Sequence, residues 1–171
     1  MTSKASGSAP VVVGVDDSPA AGAALHWAAA EARLRNLPLH VVHVRDSRIV
    51  VTPGHLGPPV DGTAAVDRAA VESALKERVG EAVGQEPLPQ VMLELVDGLP
   101  VRVLLDRAAG AALLVLGSSR SSARDGAPVG KPAAPLGPVA RGCLRVAPCP
   151  VVIVTGQLAE PPRICGLAHS G

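Results

Sequence analysis

The sequence contains no tyrosine and no phenylalanine, and Trp27 is its only tryptophan. A core built from it must be filled by valine, leucine, isoleucine and alanine, which suits buried strands under closely packed helices. Proteins that bind single-stranded nucleic acid stack bases on several aromatic side chains, and this chain cannot do so. Its formal net charge of +1 adds no attraction to a phosphate backbone, so nucleic acid is not an expected partner. Cysteine is scarce as well. Cys143, Cys149 and Cys165 show no CxxC spacing and no disulfide-framework density, and they read as reduced thiols. No apolar run approaches the roughly 20 residues that a membrane-spanning helix needs, and Met1 to Pro10 lacks the apolar stretch of a secretory signal. The expectation is a cytoplasmic protein without a membrane partner. His40 and His43, three apart in a strand pattern, point to opposite faces, and His26, His55 and His169 lie in unrelated segments, so no metal site is expected.

With 171 residues, 47% of them hydrophobic and 18% charged, the chain is sized for one domain with a substantial core. Val11 to Asp16 is a continuous apolar, β-branched run that ends in a carboxylate, the pattern of a strand buried on both faces of a parallel sheet. Asp17 or Ser18 then caps a helix with Pro19 at its first position, where the missing N–H costs nothing. That helix runs to about Asn36, with Leu25, Ala28, Ala29 and Ala32 on its inner stripe and a Glu31–Arg35 pair outside. Leu39 to Val44 reads as a strand, and Arg45 to Gly62, rich in Pro and Gly, as a loop. A helix from Thr63 to about Val83 and a strand from Val91 to Val96 follow. Asp97-Gly98 reads as a turn, and Pro100 opens a helix that ends near Ala109.

Ala112 to Leu116 is a further strand, Pro138 to Val146 a short helix, and Val151 to Val154 the last strand. The segment between Ser118 and Leu136 is Ser, Gly, Pro and Ala in large part, and residues beyond Gly156 lack a period. The expected organisation is therefore a flexible segment over 1–10, one domain over 11–155 with a long loop insertion at about 118–136, and a tail over 156–171. Strands that alternate with helices predict an α/β fold, an open parallel sheet with helices on both faces. Ligands of such folds sit beyond the carboxyl ends of strands, where the strand order reverses.

The chain resembles the universal stress protein family from Val11 to Val154. The resemblance is carried by Val13-Gly14-Val15-Asp16-Asp17-Ser18, His26-Trp27-Ala28, Leu39 to Val44, Asp97-Gly98-Leu99-Pro100, Leu113 to Ser118, and Ala147-Pro148-Cys149-Pro150 before the last strand. It implies a five-stranded parallel sheet in the order 3-2-1-4-5, of the adenine nucleotide alpha hydrolase-like type. It also implies a homodimer through the last strand, other protein partners, and a stress-response or regulatory role. The family divides into ATP binders and non-binders by the motif Gly-x2-Gly-x9-Gly-Ser/Thr, whose glycine turn and helix start present N–H groups to phosphates.

This motif is altered here. Gly117 and Ser118 fit its start, Arg120 stands at its second glycine, and Gly137-Pro138 stands where Gly-Ser/Thr would close it. Sixteen residues separate Arg120 from Gly137 where the motif has nine. Pro138 brings neither hydroxyl nor N–H; Val139 follows it, and Ala140 lacks a hydroxyl. Asp16, after Val15, stands where the family contacts the adenosine end, and Val44 where a main-chain group meets adenine. The nucleoside half of the site is expected to be intact and the phosphate half broken.

Each of these residues has a second reading. Asp16 could equally be an acid closing a strand beside a helix N-terminus, and Gly117 a bare strand-to-loop turn. Arg120, Arg124 and Lys131 could replace lost phosphate donors or simply belong to a solvated loop. Without a nucleophile elbow, a Cys/His pair, or a P-loop lysine, no catalysis is expected; a weak ATPase is the alternative least supported by residues. The expectation is thus a non-catalytic homodimeric module with a degenerate nucleotide site and no cofactor. The alternative is an ATP- or AMP-binding protein in which the inserted loop restores phosphate contacts.

Overall fold

The computed structural model describes residues 8–46, 61–84, 90–118 and 136–155. The expectations for Arg120, Arg124 and Lys131, for His55, His169 and Cys165, and for most of the first segment and the tail lie outside these residues.

Among the described residues nine elements alternate: β1 (Val11–Val15), α1 (Pro19–Arg35), β2 (Leu39–Asp46), α2 (Asp61–Val83), β3 (Val91–Gly98), α3 (Pro100–Ala108), β4 (Leu113–Gly117), α4 (Pro138–Val146) and β5 (Val151–Val154). The five strands form one sheet in the order β3-β2-β1-β4-β5, with every neighbouring pair parallel. This is the order that the resemblance implies. β1 is central, and its residues Val11, Val12 and Val13 are fully buried.

Strand parity sorts the core into two layers. Val11, Val13, Leu39, Val41, Leu113 and Val115 pack with α1 and α2, while Val12, Val42, Leu114 and Leu116 pack with α3 and α4. Burying each such side chain contributes about 1.5–3 kcal/mol relative to exposure. The first layer is thin because α1 presents mostly alanine: Ala20, Ala21, Ala24, Ala28, Ala29 and Ala32 are all buried, joined by Leu25. Trp27 is half-buried against the rim of that layer.

Local signals set the ends of α1. The Ser18 hydroxyl accepts from the Ala21 N–H at 3.1 Å, and Pro19 takes the first turn. Asn36 adopts the left-handed conformation at φ 53°, and the N–H of Leu37 reaches the Ala32 carbonyl at 2.8 Å, so the last carbonyls are satisfied. On the outer surface Arg35 pairs with Glu31 as the sequence suggests.

One expected turn is absent. Asp97 and Gly98 continue β3, opposite Arg45 and Asp46 of a β2 that is likewise longer than its apolar run. The Asp97 carboxylate meets Arg45 at 3.1 Å and Arg68 of α2 at 2.9 Å, which holds the end of the strand extended. The direction change falls on Leu99 instead. Helix α2 also begins earlier than expected, at Asp61.

Candidate functional site

β1 and β4 lie side by side, but their following helices leave to opposite faces of the sheet. At their carboxyl ends a cavity of about 500 Å³ opens, lined by Gly14 to Ser18, Val42, Val44, Pro100, Leu104, Leu116, Gly117 and Gly137 to Ala140. Six elements therefore converge on it: β1, α1 through Ala21, β2, α3, β4 and the N-terminus of α4.

Of the residues singled out by sequence, Val15, Asp16, Val44, Gly117, Gly137, Pro138 and Val139 all line this cavity. Ser118 is not among the lining residues; its N–H donates to the Val154 carbonyl at 2.9 Å and prolongs the β4–β5 ladder. Arg120 lies outside the described residues. Gly14, Asp17, Val42, Pro100, Leu104 and Leu116 line the cavity without having been singled out. Two spacing signals point to them. Val42 and Val44 share one face of β2, Gly14 lies on β1 two positions before Asp16, and Pro100 and Leu104 are one helical turn apart.

Asp16 has a demonstrable structural task. One carboxylate oxygen, Oδ1, accepts from both the N–H (3.0 Å) and the hydroxyl of Ser18, an Asx turn that aims the chain into α1. Arg78 of α2 steadies the same turn, donating to the Asp16 carbonyl at 3.0 Å and standing 3.6 Å from the Asp17 carboxylate. Gly117 is also explained by packing. A Cβ on it would lie 2.8 Å from the carbonyl carbon of Ala20 and 2.9 Å from the Ala21 nitrogen, so α1 rests on the glycine itself. This tight contact gives Gly117 a packing role beside the two that the sequence offers, a ligand contact and a strand-to-loop turn.

At the opposite wall Gly137 precedes α4 with no side-chain cap, and Pro138 occupies the first helical position. The four N–H groups that a helix start leaves free are therefore reduced by one. Among the described residues, the ionisable side chains lining the cavity are the two carboxylates, Asp16 and Asp17.

Other titratable groups stand apart from the cavity. Glu94 of β3 takes a two-pronged ion pair from Arg107 of α3, at 2.7 and 2.6 Å, and lies 3.0 Å from the His40 Nε2. The Arg107 hydrogen bonds hold the Glu94 carboxyl below its usual range, against a smaller upward push from burial. His43 is buried with no hydrogen-bond partner for its Nδ1 among the described residues. His40 and His43 do face opposite layers, and among the described residues no three His, Cys, Asp or Glu side chains group as a metal site. Cys143 is buried and its thiol is pushed up to about 11 by desolvation; Cys149 is raised in the same way. No helix among the described residues is long and apolar enough to cross a membrane.

An open parallel sheet clad on both faces, with its crevice where the strand order reverses, defines an α/β domain of the nucleotide-binding type. The sequence pattern of the universal stress protein family matches residues 8–155, and the chain belongs to that family. A universal stress protein of Mycobacterium tuberculosis is 35% identical over 159 residues, which cover 90% of this chain and 50% of the relative. The chain thus spans about half the length of the curated relatives it matches. Universal stress protein UspA from Lactobacillus plantarum has the same fold, with a TM-score of 0.69 at 24% identity over 87% of this chain and 99% of that one. A universal stress protein from Archaeoglobus fulgidus, solved in complex with dAMP, gives a TM-score of 0.53 at 24% identity over 85% and 97% of the two chains.

Proposed function

We propose that this protein is a non-catalytic regulatory module of the universal stress type that works as a homodimer and carries a degenerate nucleotide site. The observation that carries the reading is the make-up of the crevice. Its nucleoside end keeps apolar walls and an acid, Val15, Val44 and Asp16, while Pro138 removes a donor at the phosphate end. Among the described lining residues there is no Ser–His or Cys–His pair. The homodimer reading is supported by β5, an edge strand in which Val151, Val152 and Ile153 keep some exposure while Val154 is buried. An apolar edge of this kind is stabilised by pairing with a second copy. Sedimentation at high protein concentration should report a dimer; a monomer would overturn that part.

A second reading is that an adenine nucleotide binds. It is favoured by the single cavity wall that Val15, Asp16, Val44 and Gly117 form together, and by the dAMP complex of a protein with the same fold. Mass spectrometry of small molecules released from the denatured protein, with thermal shifts in ATP and AMP, separates the two readings. A ligand that binds the folded state raises the melting temperature. An empty protein without a shift supports the first reading. A stoichiometric adenine nucleotide, lost in Asp16→Ala with the fold retained, supports the second.

A further inference from the structure

Resting on the second reading, that an adenine nucleotide enters the crevice, we infer that Arg78 of α2 is a positioning residue for that site, setting ligand affinity from behind the sheet by holding the turn from Asp16 to Ser18. This turn is a rim of the cavity, since Asp16, Asp17 and Ser18 all line it. Arg78 itself is not among the described lining residues. Its helix packs in the α1 layer through Leu75, Val79 and Ala82, whereas the cavity walls Leu104, Leu116 and Ala140 belong to the layer on the other face.

Within the turn, the Asp16 carboxylate accepts from the Ser18 N–H at 3.0 Å and from its hydroxyl, and that hydroxyl accepts from the Ala21 N–H at 3.1 Å. These bonds all run to or from side chains. Arg78 takes hold of the main chain instead: its Nη2 donates to the Asp16 carbonyl at 3.0 Å, while Nη1 lies 3.6 Å from the Asp17 carboxylate. A hydrogen bond from a charged donor is about twice as strong as one between neutral groups. The Asp17 side chain is 95% exposed, and an ion pair so open to water adds little. The bond to the carbonyl is therefore the effective one. Val79, the next residue, is 7% exposed, so the guanidinium reaches out from a firmly seated point of the helix. A rim held in place in advance spares the ligand the cost of ordering it, and a rim in place only part of the time lowers the apparent affinity by that fraction.

The test is calorimetric titration of the full chain with adenosine and with AMP, on the native protein and on Arg78→Met, Arg78→Lys and Lys76→Met, with amide exchange at Ser18 followed by NMR. Arg78→Met keeps a long side chain without the donor, and Arg78→Lys returns one cationic donor. Lys76, two residues away on α2 and paired with Glu72, serves as the control for a change in the helix alone. Arg78→Met should bind adenosine and AMP each about fivefold more weakly and exchange its Ser18 N–H faster. Arg78→Lys should recover part of both effects, and Lys76→Met should match the native protein. The loss is expected to be equal for the two ligands because a contribution made through the turn is indifferent to the charge of the phosphate. A loss confined to AMP overturns the inference, since it would mean that Arg78 attracts the phosphate directly. Affinities that Arg78→Met leaves unchanged overturn it as well, while the adenine-nucleotide reading survives. If the native protein binds neither ligand, that reading falls and the inference falls with it.

Discussion

The two faces of the sheet are covered in different ways. On one, α1 lies close enough for its backbone to touch Gly117, and small alanine side chains fill the thin space beneath it. On the other, α3 and α4 stand off on Leu104, Leu116 and Val139, and the three atoms nearest to a Cβ at Gly14 are ends of leucine side chains. The first face is closed by backbone and cannot yield; the second is closed by side chains and leaves a cavity at its upper end. Room for a ligand comes from the loosely fitted face, and the tightly fitted one supplies the rigid floor.

Matched glycine substitutions sharpen this contrast. Gly117→Ala drives a Cβ against main-chain atoms of Ala20 and Ala21, so we expect a loss of about 3 kcal/mol in urea unfolding. Gly14→Ala puts its Cβ 2.8 Å from the Leu116 Cδ2 and 3.0 Å from a Leu104 Cδ, atoms that can turn aside, and should cost about 1 kcal/mol. Equal losses at the two sites would erase the distinction between the faces. Ser18→Ala, which removes the α1 cap, should cost roughly 1 kcal/mol by the same measurement, with Asp16 losing a partner for its carboxylate.

The smallest expected effect is on the α3 side, at the Glu94–Arg107 pair. Its carboxyl is held below its ordinary value of 4.5, so the pair adds stability above that pH and loses it as pH falls through the lowered value. The gap in melting temperature between native protein and Glu94→Gln should therefore be present at pH 7 and close below pH 4.5. A gap that persists in acid would mean that Glu94 acts through packing.

Nearly all of the fold was legible in the sequence because buried parallel strands write themselves as short apolar runs, and the caps of α1 and the prolines of α3 and α4 mark helix starts. Asp97-Gly98 was misread for a physical reason. Its turn chemistry is local, whereas the ion pairs with Arg45 and Arg68 that keep it extended come from two other elements. The site was legible along each strand and less so across strands. Val15, Asp16 and Val44 stood out by position, but the part played by Pro100 and Leu104 depends on where α3 crosses the sheet. The use of Gly117 as a seat for α1 could not be read at all, since nothing near it in sequence records what approaches it.

The strand order also sets a timetable for folding during synthesis. β1 emerges first, yet it needs β2 on one side and β4 on the other. Until Leu113 to Gly117 follows, one whole edge of the central strand, valine for most of its length, stays without a neighbour. A nascent chain of this kind is most exposed to mispairing in that interval, and arrival of the fourth strand ends it.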